Sequence, residues 1–221
     1  MRVGSARGVS RVFVVFALGA VACTGGASNG GDGSSSSNGG ASSSGGSSGN
    51  EPTARAQAIF EGTLEPGTDK ECPDVGALFT LGDFGDPAGQ PNVPAKPVKD
   101  GESWEQGTAN VSCTVSSAGG DGFNVAASVA LSGATGGLFR LDGKLTATGE
   151  QTGIHAIFST RKSGNTYEQR DSQCIVRYTS PFHSVAAGRV WAEVTCPNAE
   201  NAGAKTTCEA RAQFRLENCG Q

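Results

Sequence analysis

From residue 108 onward, apolar and polar residues alternate with a period of two, and this pattern constrains the fold more than any other feature of the chain. Ala109, Val111, Cys113 and Val115 alternate with Asn110, Ser112 and Thr114. Phe123, Val125, Ala127, Val129 and Leu131 run in phase against Asn124, Ser128 and Ser132. Phe139, Leu141, Leu145 and Ala147 oppose Arg140, Asp142, Lys144 and Thr146, and Cys208, Ala210, Ala212, Phe214 and Leu216 oppose Glu209, Arg211, Gln213, Arg215 and Glu217. Side chains of a strand point alternately to its two faces, so each segment has one face for a core and one for water. The last segment is rich in helix formers, but strict alternation outweighs a weak propensity. Shorter strands are expected at 77–81, 153–160, 172–179 and 190–196. Turn clusters such as Ala118-Gly119-Gly120-Asp121-Gly122 separate them. The pattern predicts an all-β, antiparallel sandwich or small barrel of roughly eight strands, with no internal repeat.

The N-terminal part obeys different rules. Residues 1–11 are basic and free of acids, and residues 12–22 are uncharged and largely apolar. A charged start, an apolar run and a small residue before a cut make a secretory signal. Eleven residues of helix span roughly 16 Å, about half a bilayer core, which disfavours a permanent membrane span. Residues 24–50 follow, 27 residues of which 20 are Gly or Ser and one, Asp32, is charged. Such a stretch reads as a flexible tether with an r.m.s. reach on the order of 30 Å. The chain therefore divides into a signal peptide (1–22), Cys23 with its tether (23–50) and a domain (51–221).

Ala20-Val21-Ala22-Cys23 resembles the lipobox of bacterial lipoproteins, whose pattern is Leu, a small residue, Gly or Ala, then the modified Cys. Ala20 departs from it where Leu is favoured, and the same three residues also fit an ordinary Ala-x-Ala cleavage site that would leave Cys23 free. The resemblance implies that Cys23 receives a diacylglycerol, that the signal peptide is removed, and that the new amino group is acylated, typically with palmitate. The membrane is then a partner through the lipid. By the sorting rule of such lipoproteins, Thr24 in place of Asp points to the outer membrane. The Gly/Ser tether resembles those of myxobacterial surface lipoproteins.

The remaining cysteines support an exported setting. Of seven, setting aside Cys23 leaves Cys72, Cys113, Cys174, Cys196, Cys208 and Cys219, with no CxxC pair to suggest a zinc ribbon or redox motif. An even, dispersed set reads as three disulfides. Six cysteines allow 15 pairings. The strand phase points several of them inward and suggests Cys196–Cys208, Cys72–Cys113 and Cys174–Cys219. Setting aside Arg2, Arg7, Arg11 and Asp32, the domain holds 14 basic and 20 acidic residues. An acidic surface of this kind argues against nucleic acid as a partner.

Few residues stand out as a site. Trp191 shares its phase with Glu193 and Thr195 on the presumed solvent face, and an exposed indole beside polar groups is a common grip for sugars or peptides. The plainer alternative is that a loop covers it. Residues 82–107 contain Pro87, Pro91, Pro94 and Pro97 and little strand pattern, which is long for a loop. Trp104 lies within it and could act with Trp191, unless the segment is only linker or edge cover. Asp83 and Asp86 are oxygen donors at loop spacing, too few for calcium, which takes six to eight oxygens. His155 and His183, the only histidines, make no metal site and pair with no nucleophile motif. No GxSxG occurs, and no catalytic residue, metal or cofactor is assigned. The expected role is a non-enzymatic one: binding a glycan or envelope protein near the membrane, or structural support of the envelope. The alternative is a secreted-type hydrolase that uses acidic residues, whose separation depends on the fold.

Overall fold

The alternating segments become the long strands of a single antiparallel sheet. The computed structural model describes residues 54–67, 71–85 and 93–221. Its strands are Gln57–Pro66 (β1), Gly76–Leu81 (β2), Val98–Lys99 (β3), Ser103–Trp104 (β4), Gly107–Ser117 (β5), Gly122–Leu131 (β6), Gly137–Thr146 (β7), Gln151–Thr160 (β8), Thr166–Arg177 (β9), Ser184–Ala186 (β10), Arg189–Asn201 (β11) and Thr206–Glu217 (β12). The protein is all-β. The segments expected to form a signal peptide (1–22) and, with Cys23, a tether (23–50) lie outside the described residues.

Eight of these strands correspond to the segments predicted from sequence; β1, β3, β4 and β10 do not. The last three are two or three residues long, too short to show a period. β1 escapes for a different reason: Ala58, Ile59 and Phe60 are all buried, so one face is covered where alternation needs it open. Ala147 is a smaller departure: it lies beyond the end of β7 and is exposed.

The strand order is β2-β1-β12-β11-β9-β8-β7-β6-β5-β4, with β3 on β1 and β10 on β11. The sheet curls until its distant members meet. Phe139 of β7 packs at 4.9 Å from Phe60 of β1, 5.5 Å from Phe214 of β12 and 5.4 Å from Phe158 of β8, while Phe79 of β2 stacks on Phe60 at 4.4 Å. Five rings from five strands thus fill one interior, and such edge-to-face and offset contacts add to the area they bury. The chain after β12 completes the closure on β5. Gly220 accepts from the Val115 N–H and donates to the Cys113 carbonyl, and the Gly188 N–H donates to the Val115 carbonyl.

All six cysteines of the domain are bonded, as Cys72–Cys208, Cys113–Cys219 and Cys174–Cys196. None of the three pairings suggested by strand phase occurs. The register explains why: β11 and β12 place Cys196 opposite Ala210 and Cys208 opposite Ala199, so these two cysteines never face each other. Cys196 instead meets Cys174 across β9, Cys208 ties down the segment before β2, and Cys113–Cys219 fastens the closing tail to β5.

Candidate functional site

On β11 the phase read from sequence holds. Val190, Ala192, Val194 and Cys196 point into the core, and Trp191, Glu193 and Thr195 point outward. Cross-strand register then assembles rungs on the outer face. One rung is Glu61–Gln213–Glu193–Arg177, across β1, β12, β11 and β9. The next is Thr63–Arg211–Thr195. With Thr179, these side chains line an open groove of about 420 Å³. Its arginines are internally balanced: Arg177 pairs with Glu150 at 2.6 Å, and Arg211 pairs with Glu209 and Glu65.

The rung on the other side, Ile59–Arg215–Trp191, closes the groove with an aromatic shelf. Trp191 is half-buried. Phe84 and Phe182 lie at 6.1 and 6.0 Å from it with planes inclined by only 18° and 19°, and His183 lies at 5.4 Å. The Arg215 guanidinium sits over the indole at 5.1 Å, a cation–π contact. Arg215 is held there by two bonds to Glu217 Oε1 at 2.7 and 3.0 Å, and Gln57 donates to the other Glu217 oxygen at 2.7 Å. Burial alone would raise the Glu217 carboxyl, but these hydrogen bonds and the charges of Arg215 and Arg189 hold it below its ordinary value. Beyond the shelf lies a smaller notch of about 230 Å³ lined by Phe182, Ser184, Arg189, Trp191, Arg215 and Glu217.

Phe84 reaches Trp191 because its segment lies flat on the sheet. Asp83 and Lys96 bond through their backbones at 2.8 and 3.1 Å, and Gly82 adopts φ 73°. A Cβ on Gly82 would stand 2.7 Å from the Lys96 carbonyl and 3.3 Å from Ile59, so only glycine admits this approach. The same segment buries Ile59 and so removes the alternation from β1.

The long proline-containing segment therefore does meet Trp191, through Phe84 rather than Trp104. Trp104 stands on β4, half-buried against the core, and no ring contact links it to Trp191 among the described residues. Asp83 is committed to its own turn, accepting from the Gly85 N–H at 2.8 Å and pairing with Lys96 at 3.9 Å. Asp86 lies outside the described residues, as do Pro87 and Pro91. His155 sits elsewhere on the outer surface, with Nε2 3.0 Å from Glu168 and Nδ1 3.9 Å from Asp142. Among the described residues, no three His, Cys, Asp or Glu side chains gather as a metal site requires.

Reading the sequence locates Trp191 and misses its neighbours. Arg215 and Gln213 reach it through the register of β12, and Phe84 and Phe182 through loops that fold back onto the sheet. Phe182, in Ser180-Pro181-Phe182-His183, carries one faint signal: a large apolar residue in a turn with no alternation to bury it. It is 47% exposed. A cluster of aromatic rings beside a row of hydroxyl, amide, carboxylate and guanidinium groups suits a ligand with apolar faces and polar edges. Neither a protein-family model, nor a curated protein, nor a solved structure matches the chain.

Proposed function

We propose that this chain is an exported lipoprotein, anchored through Cys23 in the bacterial outer membrane, whose domain binds a glycan of the cell envelope without cleaving it. The observation that carries the binding reading is the shelf of Phe84, Trp191 and Phe182 at the end of the polar groove. A sugar ring offers C–H faces that pack on indole and phenyl rings, and hydroxyl edges that bond to side chains such as Gln213, Thr195 and Glu193. Rigid aromatics give this contact area at small entropic cost. The three disulfides fit an oxidising compartment, and the Gly/Ser tether gives the domain reach from the lipid surface.

The test is retention of the oxidised full chain on the producing cell's envelope polysaccharide and on its peptidoglycan. Retention on either is expected to be saturable. Trp191→Ala is expected to weaken it by about 30-fold or more, the effect of losing about 2 kcal/mol at a central aromatic. Phe182→Ala, at an exposed position outside the core, should weaken it in the same direction. Retention of neither wild type nor variant on either material rejects glycan binding. A hydrolase would draw its carboxylates from Glu61 and Glu193, which flank Gln213 on one rung. Release of new reducing ends that Glu193→Gln abolishes would favour that alternative.

A further inference from the structure

His183 is only 7% exposed, yet it touches both the groove and the shelf. Its Nδ1 accepts from the backbone N–H of Thr179 at 3.1 Å and of Ser180 at 3.4 Å. The Thr179 hydroxyl, 3.4 Å from the same nitrogen, gives its single proton to Glu193 at 2.6 Å. A ring nitrogen that accepts two N–H groups carries no proton, so the imidazole is neutral with its proton on Nε2. That nitrogen lies 3.3 Å from the Gln213 side-chain nitrogen; with the amide turned end for end, its oxygen takes that place and accepts the Nε2–H.

The ring therefore ties together the turn from Thr179 to His183. The same turn is closed by the His183 N–H on the Ser180 carbonyl at 3.0 Å, and it carries Phe182. A second proton would have to enter on Nδ1, where it would point at two backbone donors. Buried donors left facing a donor are costly, so the turn must open to relieve them.

We propose that His183 is a proton-operated latch: neutral, it holds Phe182 against Trp191, and protonated, it releases the turn and dismantles the shelf. The consequence for ligand rests on the glycan-binding reading; the latch itself does not. The charged groups that flank the contacts of His183 are Glu193 on β11, which holds the Thr179 hydroxyl, Arg211 and Arg215 on β12, on either side of Gln213, and Arg177 at the end of β9, opposite Glu193. Burial opposes the imidazolium and Glu193 favours it; burial prevails and holds His183 below its ordinary value. The neutral, latched form is therefore complete above about pH 6.5, the value of a free imidazole. Latching is lost as the pH falls through the lower folded-state midpoint. If only the latched form binds, apparent affinity falls about tenfold for each pH unit below that midpoint.

The experiment uses the full chain with 13C-labelled histidine. Two histidines give two signals, and His155→Gln assigns them. In a Trp104→Phe background, Trp191 is the sole source of indole fluorescence. The His183 signal is expected to titrate with a midpoint below 6.5, and Trp191 fluorescence to change at that same midpoint without ligand. His183→Gln should abolish the fluorescence step. A His183 midpoint at or above 6.5, or a fluorescence step that survives His183→Gln, overturns the latch, and the first reading needs no variant at His183. Polysaccharide retention on the same samples separates the two ideas. Coupled titrations without retention at any pH reject glycan binding and leave the latch standing. Retention that ignores the transition overturns the latch's control of the site.

Discussion

At the scale of single residues, the outward phase of Trp191 was legible, because alternation on β11 is uninterrupted from Val190 to Cys196. Its surroundings were not, since no local pattern says that Arg215 and Ser184 will stand beside it. The two tyrosines show the same split. Tyr167 falls in strand β9, but its partner Asp74 is 93 positions away, accepting from the phenol at 2.7 Å and also from Asn165 and Ser163. Burial, then the bond and charge of Asp74, push the Tyr167 phenol up to about 12. Burial alone pushes Tyr178, whose hydroxyl donates to the Thr146 carbonyl, to about 12. Both are raised acids, so the stability they contribute is complete below about pH 10, where unfolded tyrosine ionises. It is lost as the pH rises toward 12. In an ultraviolet titration, tyrosinate absorbance should stay flat through pH 10 and rise only near 12 or with unfolding. A first tyrosine ionising at 10 in the folded protein would contradict this placement.

At the scale of elements, periodicity found the strands whose two faces meet different surroundings and lost the one whose faces do not. β1 is hidden because a segment more than 20 residues downstream covers Ile59, an event written nowhere in β1 itself. Cysteine pairing fails for a related reason. Phase says that Cys113, Cys174, Cys196 and Cys208 point inward; the last three are fully buried and Cys113 only half-buried, and for all of them the partner depends on strand order and bulges. The order assigns different tasks to the bridges. Cys174–Cys196 joins two neighbouring strands across 22 residues, whereas Cys113–Cys219 spans 106 and holds the tail that closes the sheet. In the chain-entropy view, the longer loop restrains the unfolded state more. Replacing Cys113 and Cys219 together by Ala should cost about 2–4 kcal/mol. At roughly 2–4 °C per kcal/mol for a domain of this size, the melting temperature should fall by about 5–15 °C. The matching Cys174/Cys196 pair of substitutions should lower it less. Calorimetry of the oxidised variants decides; an unchanged melt for the first pair would mean that the backbone bonds of Gly220 and Gly188 close the sheet unaided.

At the scale of the whole molecule, the cysteines connect the domain to its proposed address. Seven are present, and all six in the domain are consumed in pairs within one chain. Cys23 is left over, at the position where the lipobox resemblance requires a modified residue. A leftover cysteine in an exported chain is either modified, bonded to another molecule or free. Lipidation makes a distinct demand on the first of these. Two or more acyl chains anchor stably where one binds only marginally. Expressed in a bacterium that processes lipoproteins, the chain should therefore incorporate labelled palmitate, partition with detergent, and show a mature N-terminus at Cys23 carrying the acyl mass. Cys23→Ser should abolish the label while the six paired cysteines still protect the domain from alkylation. A wild-type chain beginning at an unmodified Cys23 and remaining in the aqueous phase would instead indicate ordinary cleavage after Ala22. The groove and its latch would then belong to a freely diffusing protein, and the tether would no longer set their distance from a membrane.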